Sequence, residues 1–99
     1  MMKIDISGLN KLFENRVRLG IMSVLAVNES YDFNDLKDML GVTDGNLASH
    51  IRALEENNLI RVNKKFVGKK PNTSYLITES GLRLFRDHLK SLEKIIRSL

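Results

Sequence analysis

The sequence predicts a mainly α domain carrying one small β-hairpin, an α+β class, and three observations carry that prediction. Apolar residues recur at helical spacing in four separate stretches. Between the third and fourth lies a run rich in β-branched and aromatic residues, interrupted by Gly68-Lys69-Lys70-Pro71-Asn72, a segment dense in turn formers. Composition supplies the third: 42% hydrophobic and 28% charged residues with one proline, over 99 residues, describe a folded, helix-rich single domain and not a disordered chain. Residues 1–99 are therefore read as one unit, with a core over 8–78 and a C-terminal helix over 79–99, and no separate catalytic or effector domain is expected beside it.

Leu9, Phe13, Val17, Ile21, Val24 and Leu25 share one helical stripe, so a long first helix is expected over about 9–27, with Ser7 as its cap. Leu12, Leu19 and Met22 lie on another side, and a helix apolar on more than one side asks for a second cover, such as another subunit. Asn28–Ser30 break the pattern, Tyr31–Phe33 suit a short strand, and Asn34 is placed to cap a brief helix over about 35–40. Leu36, Met39 and Leu40 form the buried side of that helix, and Gly41 follows where a left-handed residue is wanted.

After the tight turn Gly41-Val42-Thr43, the Thr43 hydroxyl can cap a third helix whose Leu47, Ile51 and Leu54 face inward. Residues 100° apart then place Gly45, Asn46, Ser49, Arg52 and Ala53 outside, with His50 at the edge. Segments 59–67 and 73–77 read as a hairpin. Thr78 caps a last helix in which Leu82, Phe85, Leu89, Leu92, Ile96 and Leu99 alternate three and four apart, a coiled-coil-like seam.

The formal net charge of +4 and pI near 9.6 favour polyanions only weakly, but the distribution is informative. From Asn57 to Thr78 there are five basic residues, Arg61, Lys64, Lys65, Lys69 and Lys70, and no acidic one. A helix with small polar groups outside, then a cationic ribbon, then a Thr-capped helix is what a winged helix-turn-helix needs. The helix over about 43–57 would enter the roughly 12 Å major groove, and the wing over about 61–77 would lie on the flanking backbone.

Each candidate residue has a plainer role as well. Lys64 and Lys65 can neutralise phosphates, or can keep an edge strand soluble and unpaired. Asn46 suits adenine and Ser49 several base edges, or they complete the first turn and the surface; Arg52 can take guanine or a phosphate. Gly45 costs about 1 kcal/mol in a helix against alanine, which close approach to DNA would justify and a first turn would tolerate. His50 is either a phosphate contact or a hydrogen-bonded structural residue. Thr43 and Asp44 complete the candidate set at the helix start.

Several classes are set aside. Without cysteine there is no disulfide scaffold or thiolate metal site, and a reducing compartment, the cytoplasm, is expected. The two histidines, His50 and His88, stand far apart in sequence without cysteine support, so neither a metal nor a cofactor is expected. Acidic residues do not group with a nucleophile, a histidine or a glycine-rich loop, so no enzyme is read here. Leu19–Val27 follows basic residues like the core of a signal peptide, yet Asp5 and Glu14 interrupt the basic region and the run continues a helical stripe; it is also too short to span a bilayer.

The last helix, of about 20 residues, rises roughly 30 Å, longer than a domain of this size easily covers. The seam either folds back on its own domain or meets a second chain, and a homodimer joined through Leu12, Leu19, Met22, Leu82, Phe85, Leu89, Leu92, Ile96 and Leu99 is the reading preferred. Its two-fold axis would set two third helices about 34 Å apart, on an inverted-repeat operator. The expected function is a dimeric, sequence-specific double-stranded-DNA-binding transcriptional regulator acting as a repressor, its small-molecule effector, if any, undefined. The alternative is a winged-helix module that binds protein and not DNA; against it, the third helix presents no outward aromatic or aliphatic anchor.

The stretches RVRLGIMSVL, FNDLKDMLGVTDGNLASH and SHIRALEENNLIRVNKKFVGKKPNTSYLITESG together resemble winged-helix regulators of the MarR/ArsR-like superfamily, most closely their small single-domain members. The likeness runs from about Asn15 into the last helix and is most specific from Thr43 to Gly81. It implies a dimeric transcription factor, often a repressor, with Thr43, Asp44, Asn46, Ser49, His50 and Arg52 on the recognition helix and Lys64, Lys65, Lys69 and Lys70 on the wing. Metal sensing through cysteine does not carry over, and neither does a phenolic-ligand pocket.

Overall fold

Two asparagines decide how the chain begins. In the computed structural model, which describes residues 3–99, the Asn10 side chain accepts from the Leu12 N–H at 2.9 Å and starts a single 3-10 turn, Lys11–Phe13. The Asn15 side chain then accepts from the Val17 and Arg18 N–H groups at 2.9 and 3.1 Å and starts α1, Arg16–Val27. The single helix expected over about 9–27 is thus split, because a short amide side chain competes for N–H groups that a continuous helix would use. Ser7 caps neither piece; its N–H and hydroxyl both donate to Asp5.

Strand β1 is only Tyr31–Asp32, and α2, Phe33–Leu40, begins two residues earlier than expected. Asp32 occupies the cap position without capping: its Oδ2 accepts from Asn72 at 3.1 Å, so Asn34 lies inside the helix. Gly41 ends α2 at φ 65°, and its N–H donates to the Lys37 carbonyl at 2.9 Å, a left-handed stop that glycine adopts without steric cost. Of the three residues expected to be buried on α2, Leu36 is; Leu40 is half-buried and Met39 is exposed, since eight residues offer one narrow inward stripe.

Thr43 caps α3, Asp44–Glu56, accepting from the Asn46 N–H at 3.2 Å, and Leu47, Ile51 and Leu54 are buried as their spacing requires. Strands β2, Ile60–Val67, and β3, Lys70–Ile77, pair antiparallel around a two-residue loop, Gly68-Lys69, in sheet order β1-β3-β2. The hairpin therefore runs further than expected, taking in Lys70, Pro71 and Asn72. Pro71 is tolerated because β1 pairs with β3 only at Ser74 and Tyr75, leaving this end of β3 as an edge. Finally Thr78 accepts from the Gly81 N–H at 2.9 Å and starts α4, Glu79–Arg97.

The core lies where α1, α2, α3 and the sheet base meet the first half of α4. Phe13, Ile21, Met22, Leu25, Leu36, Leu47, Leu54, Leu59 and Phe85 are the largest fully buried side chains, and the Phe13 and Phe85 rings meet edge-on with centroids 5.3 Å apart. Met22 and Phe85 are thereby removed from the expected subunit interface: both are consumed by this chain's own core. Leu12 and Leu19 are half-buried and pack against the same core. Beyond His88 the seam of α4 opens outward, with Leu89, Ile96 and Leu99 exposed at 42%, 67% and 92% and Leu92 half-buried. Residues 3–8 lie along this distal half, with Gly8 against Ser91 and Lys3, Ile4 and Asp5 beside Lys94, Ile95 and Ser98. The particle measures 62 × 26 × 21 Å, the long dimension of a domain with a projecting stalk.

Candidate nucleic-acid interface

The helix α3 is held from both sides, so its outer face is presented rather than loose. Its buried leucine–isoleucine stripe anchors it inward, and at its start Asp44 pairs with Lys37 of α2 at 2.9 Å, which raises the lysine's pKa. Asp44, expected among the DNA contacts, is thus engaged in fixing the turn between α2 and α3. Thr43 is likewise committed as an acceptor to its cap, keeping its O–H to donate. Asn46, Ser49 and Arg52 are exposed, and their side chains make no hydrogen bond or ion pair among the described residues. Gly45 has open space where a β-carbon would sit.

His50 behaves differently. It is half-buried at the edge of the helix, and its Nδ1 lies 3.0 Å from Nη1 of Arg18 on α1. Burial first, and the Arg18 charge second, lower its pKa below the ordinary histidine value. Arg18 was missed by sequence reasoning; the available signal was one basic residue between Val17 and Leu19 on an otherwise apolar stretch of helix.

On the hairpin, Lys64, Lys65, Lys69 and Lys70 gather near the tip and are exposed. Arg61 does not join them. Its register partner is Leu76, at the root, and it lines a cleft with Asn58, Thr78, Ser80 and Arg83 beside the start of α4. Six residues of strand, about 20 Å at 3.3 Å each, separate it from the loop. Also missed were Phe66 and Val67, which read as ordinary strand residues but stand 73% and 61% exposed among the tip lysines.

The comparisons agree with this geometry. A family model described as a winged helix DNA-binding domain matches residues 17–96. The chain belongs to that family. It is 30% identical over 89 residues to an uncharacterized protein of Methanocaldococcus jannaschii, covering 90% of this chain and 97% of the relative. A transcriptional regulator homologue protein of Pyrococcus horikoshii superposes with a TM-score of 0.82 at 37% identity, over 88% of this chain and 86% of the other. MepR of S. aureus, solved as a DNA complex, shares the fold with a TM-score of 0.74 at 16% identity, over 89% and 75% of the two chains.

The predicted winged-helix fold class is thus met, and a DNA-binding regulator is the class the family supports. Among the described residues no helix is long and apolar enough to cross a membrane.

Proposed function

We propose that two copies of this chain bind an inverted-repeat duplex and repress transcription there, each inserting α3 into a major groove and laying its wing on the flanking phosphates. The observation that carries this reading is the uncommitted polar face of α3, Asn46, Ser49 and Arg52, beside a ribbon tip bearing four lysines. Small or slender side chains let the helix axis approach base edges, while the lysines supply affinity that does not depend on sequence. Pairing of the subunits draws on the exposed distal seam of α4, Leu89, Ile96 and Leu99, which the chain's own core leaves uncovered.

Selection from a random duplex library with the purified protein tests the reading, an enriched palindrome being the expected result. If a dimer neutralises about six phosphates, log affinity against log salt should fall with a slope near −5. Lys69→Glu with Lys70→Glu should weaken every duplex alike, whereas Asn46→Ala should change base preference at particular positions. A second reading, a module that holds a protein partner, draws on Phe66 and Val67, which give the wing tip the apolar anchor that α3 lacks. That reading requires a protein indifferent to all duplexes at low salt.

A further inference from the structure

Arg18 makes two hydrogen bonds that together cross the domain. Its Nε donates to the Leu12 carbonyl in the 3-10 turn at 2.6 Å, and its Nη1 donates to Nδ1 of His50 on α3 at 3.0 Å. Among the described residues, the second is the one side-chain hydrogen bond joining α1 to α3. A guanidinium has donors only, so Nδ1 must be the acceptor, and the imidazole is neutral with its proton on Nε2. Among the described residues Nε2 has no partner and no buried side-chain nitrogen or oxygen is left unpaired, so this N–H opens to the surface. It does so one turn after Asn46 and beside Ser49, at the border of the face that turns outward.

We propose that Arg18 is a positioning residue for recognition, holding His50 as an Nε2–H donor aimed at a phosphate oxygen on the rim of the groove that α3 enters. The acceptor is a phosphate and not a base because His50 sits at the margin of the helix face, where a seated helix meets the backbone. Such a contact sets the register of the helix without reading sequence. The second bond of Arg18, to Leu12, keeps the guanidinium from turning away, so the histidine is aimed by the 3-10 turn through a rigid fork rather than by its own rotamer. This assignment rests on the DNA-binding reading above.

The test uses the full chain and a duplex selected by the wild-type protein. Arg18→Met, which keeps the apolar stem and removes the donors, and His50→Ala should each weaken binding about 10-fold on all duplexes, and the double variant should be no weaker than either alone. His50→Gln, which restores a side-chain N–H donor, should recover most of the affinity. Nitrogen chemical shifts of His50 should report an unprotonated Nδ1 in the wild type and a mixture of tautomers in Arg18→Met. Wild-type affinity in either single variant, or additive losses in the double, would overturn the proposal. So would loss of thermal stability in Arg18→Met with His50→Ala still binding fully, because that pattern marks a merely structural tie. If the wild type selects no duplex at all, the regulatory reading fails first, and the nitrogen shifts still show whether the Arg18–His50 bond exists.

Discussion

Gly81 lies in the first turn of α4 with its backbone pressed against Leu59. A β-carbon there would overlap the Leu59 carbonyl oxygen and sit 2.9 and 3.0 Å from its carbonyl carbon and Cα. Carbon atoms prefer about 3.5–4.0 Å and the carbonyl oxygen lies closer still, so Gly81→Ala obliges α4 or the β2 root to retreat by about 1 Å or more. Neither is free to do so. The Leu59 carbonyl already accepts from the Thr78 N–H at 3.1 Å and its hydroxyl at 3.2 Å, and Asn58 accepts from Thr78 and Ser80 side chains beside it. Overpacking of this kind costs about 1–3 kcal/mol and a strained hydrogen bond about 1 more, against about 1 gained from alanine's helix propensity.

The expected net loss is about 2 kcal/mol, which lowers Tm by roughly 8–16 °C in a domain of this size. Gly45→Ala is the control. Nothing lies within 4 Å of its β-carbon position, so the same substitution should stabilise by up to about 1 kcal/mol while weakening duplex affinity. Scanning calorimetry of both variants decides the matter: a Gly81→Ala protein as stable as the wild type would show that α4 does not dock on Leu59 as described.

Three other outcomes are expected. Ile96→Glu combined with Leu99→Glu touches exposed positions, so it should leave Tm nearly unchanged and convert a dimer to single chains in light scattering, whereas Phe85→Ala should cost about 3–5 kcal/mol whatever the assembly. His88 is buried, accepts from the Asn10 N–H at 2.9 Å, and has its pKa lowered by burial below the ordinary 6.5, with Glu14 partly opposing. Its folded value lies below its unfolded one, so the stability it contributes is complete above 6.5 and is lost as pH falls through the folded value. Urea midpoints should therefore drop between about pH 7.5 and about pH 5, and His88→Gln should flatten that drop; a midpoint equally steep in the variant would clear His88 of the effect. Thr43→Ala removes the acceptor for the Asn46 N–H and should cost about 1 kcal/mol, read as a lower urea midpoint.

What could be read from the sequence was whatever depends on near neighbours. Thr43 and Thr78 cap the helices they precede, Gly41 stops α2, and the inward stripe of α3 is placed correctly, because each depends on three or four consecutive residues. Periodicity failed where it met a competing local group, as at Asn10 and Asn15, whose side chains cut one helical stripe into two pieces. It also could not say which apolar stripe is covered by which partner. Met22 and Phe85 have the spacing of interface residues and the burial of core ones, since helical phase states the direction of a side chain but not what it meets. The Arg18–His50 bond spans 32 residues, and no local pattern announces it. The basic wing was legible as a charge run, but the register that sets Arg61 apart from the lysines required the strand pairing.

The described residues contain just two ion pairs, Lys37–Asp44 and Arg97–Glu93, both at the surface, with only Lys37 half-buried. Exposed pairs of that kind contribute only about 0–1 kcal/mol. Cohesion in this molecule therefore owes almost nothing to attraction between opposite charges, and most of its cations keep their full appetite for an outside anion. Raising ionic strength should peel away a bound polyanion while the unfolding temperature hardly moves, so salt becomes a lever that acts on occupancy and spares the scaffold.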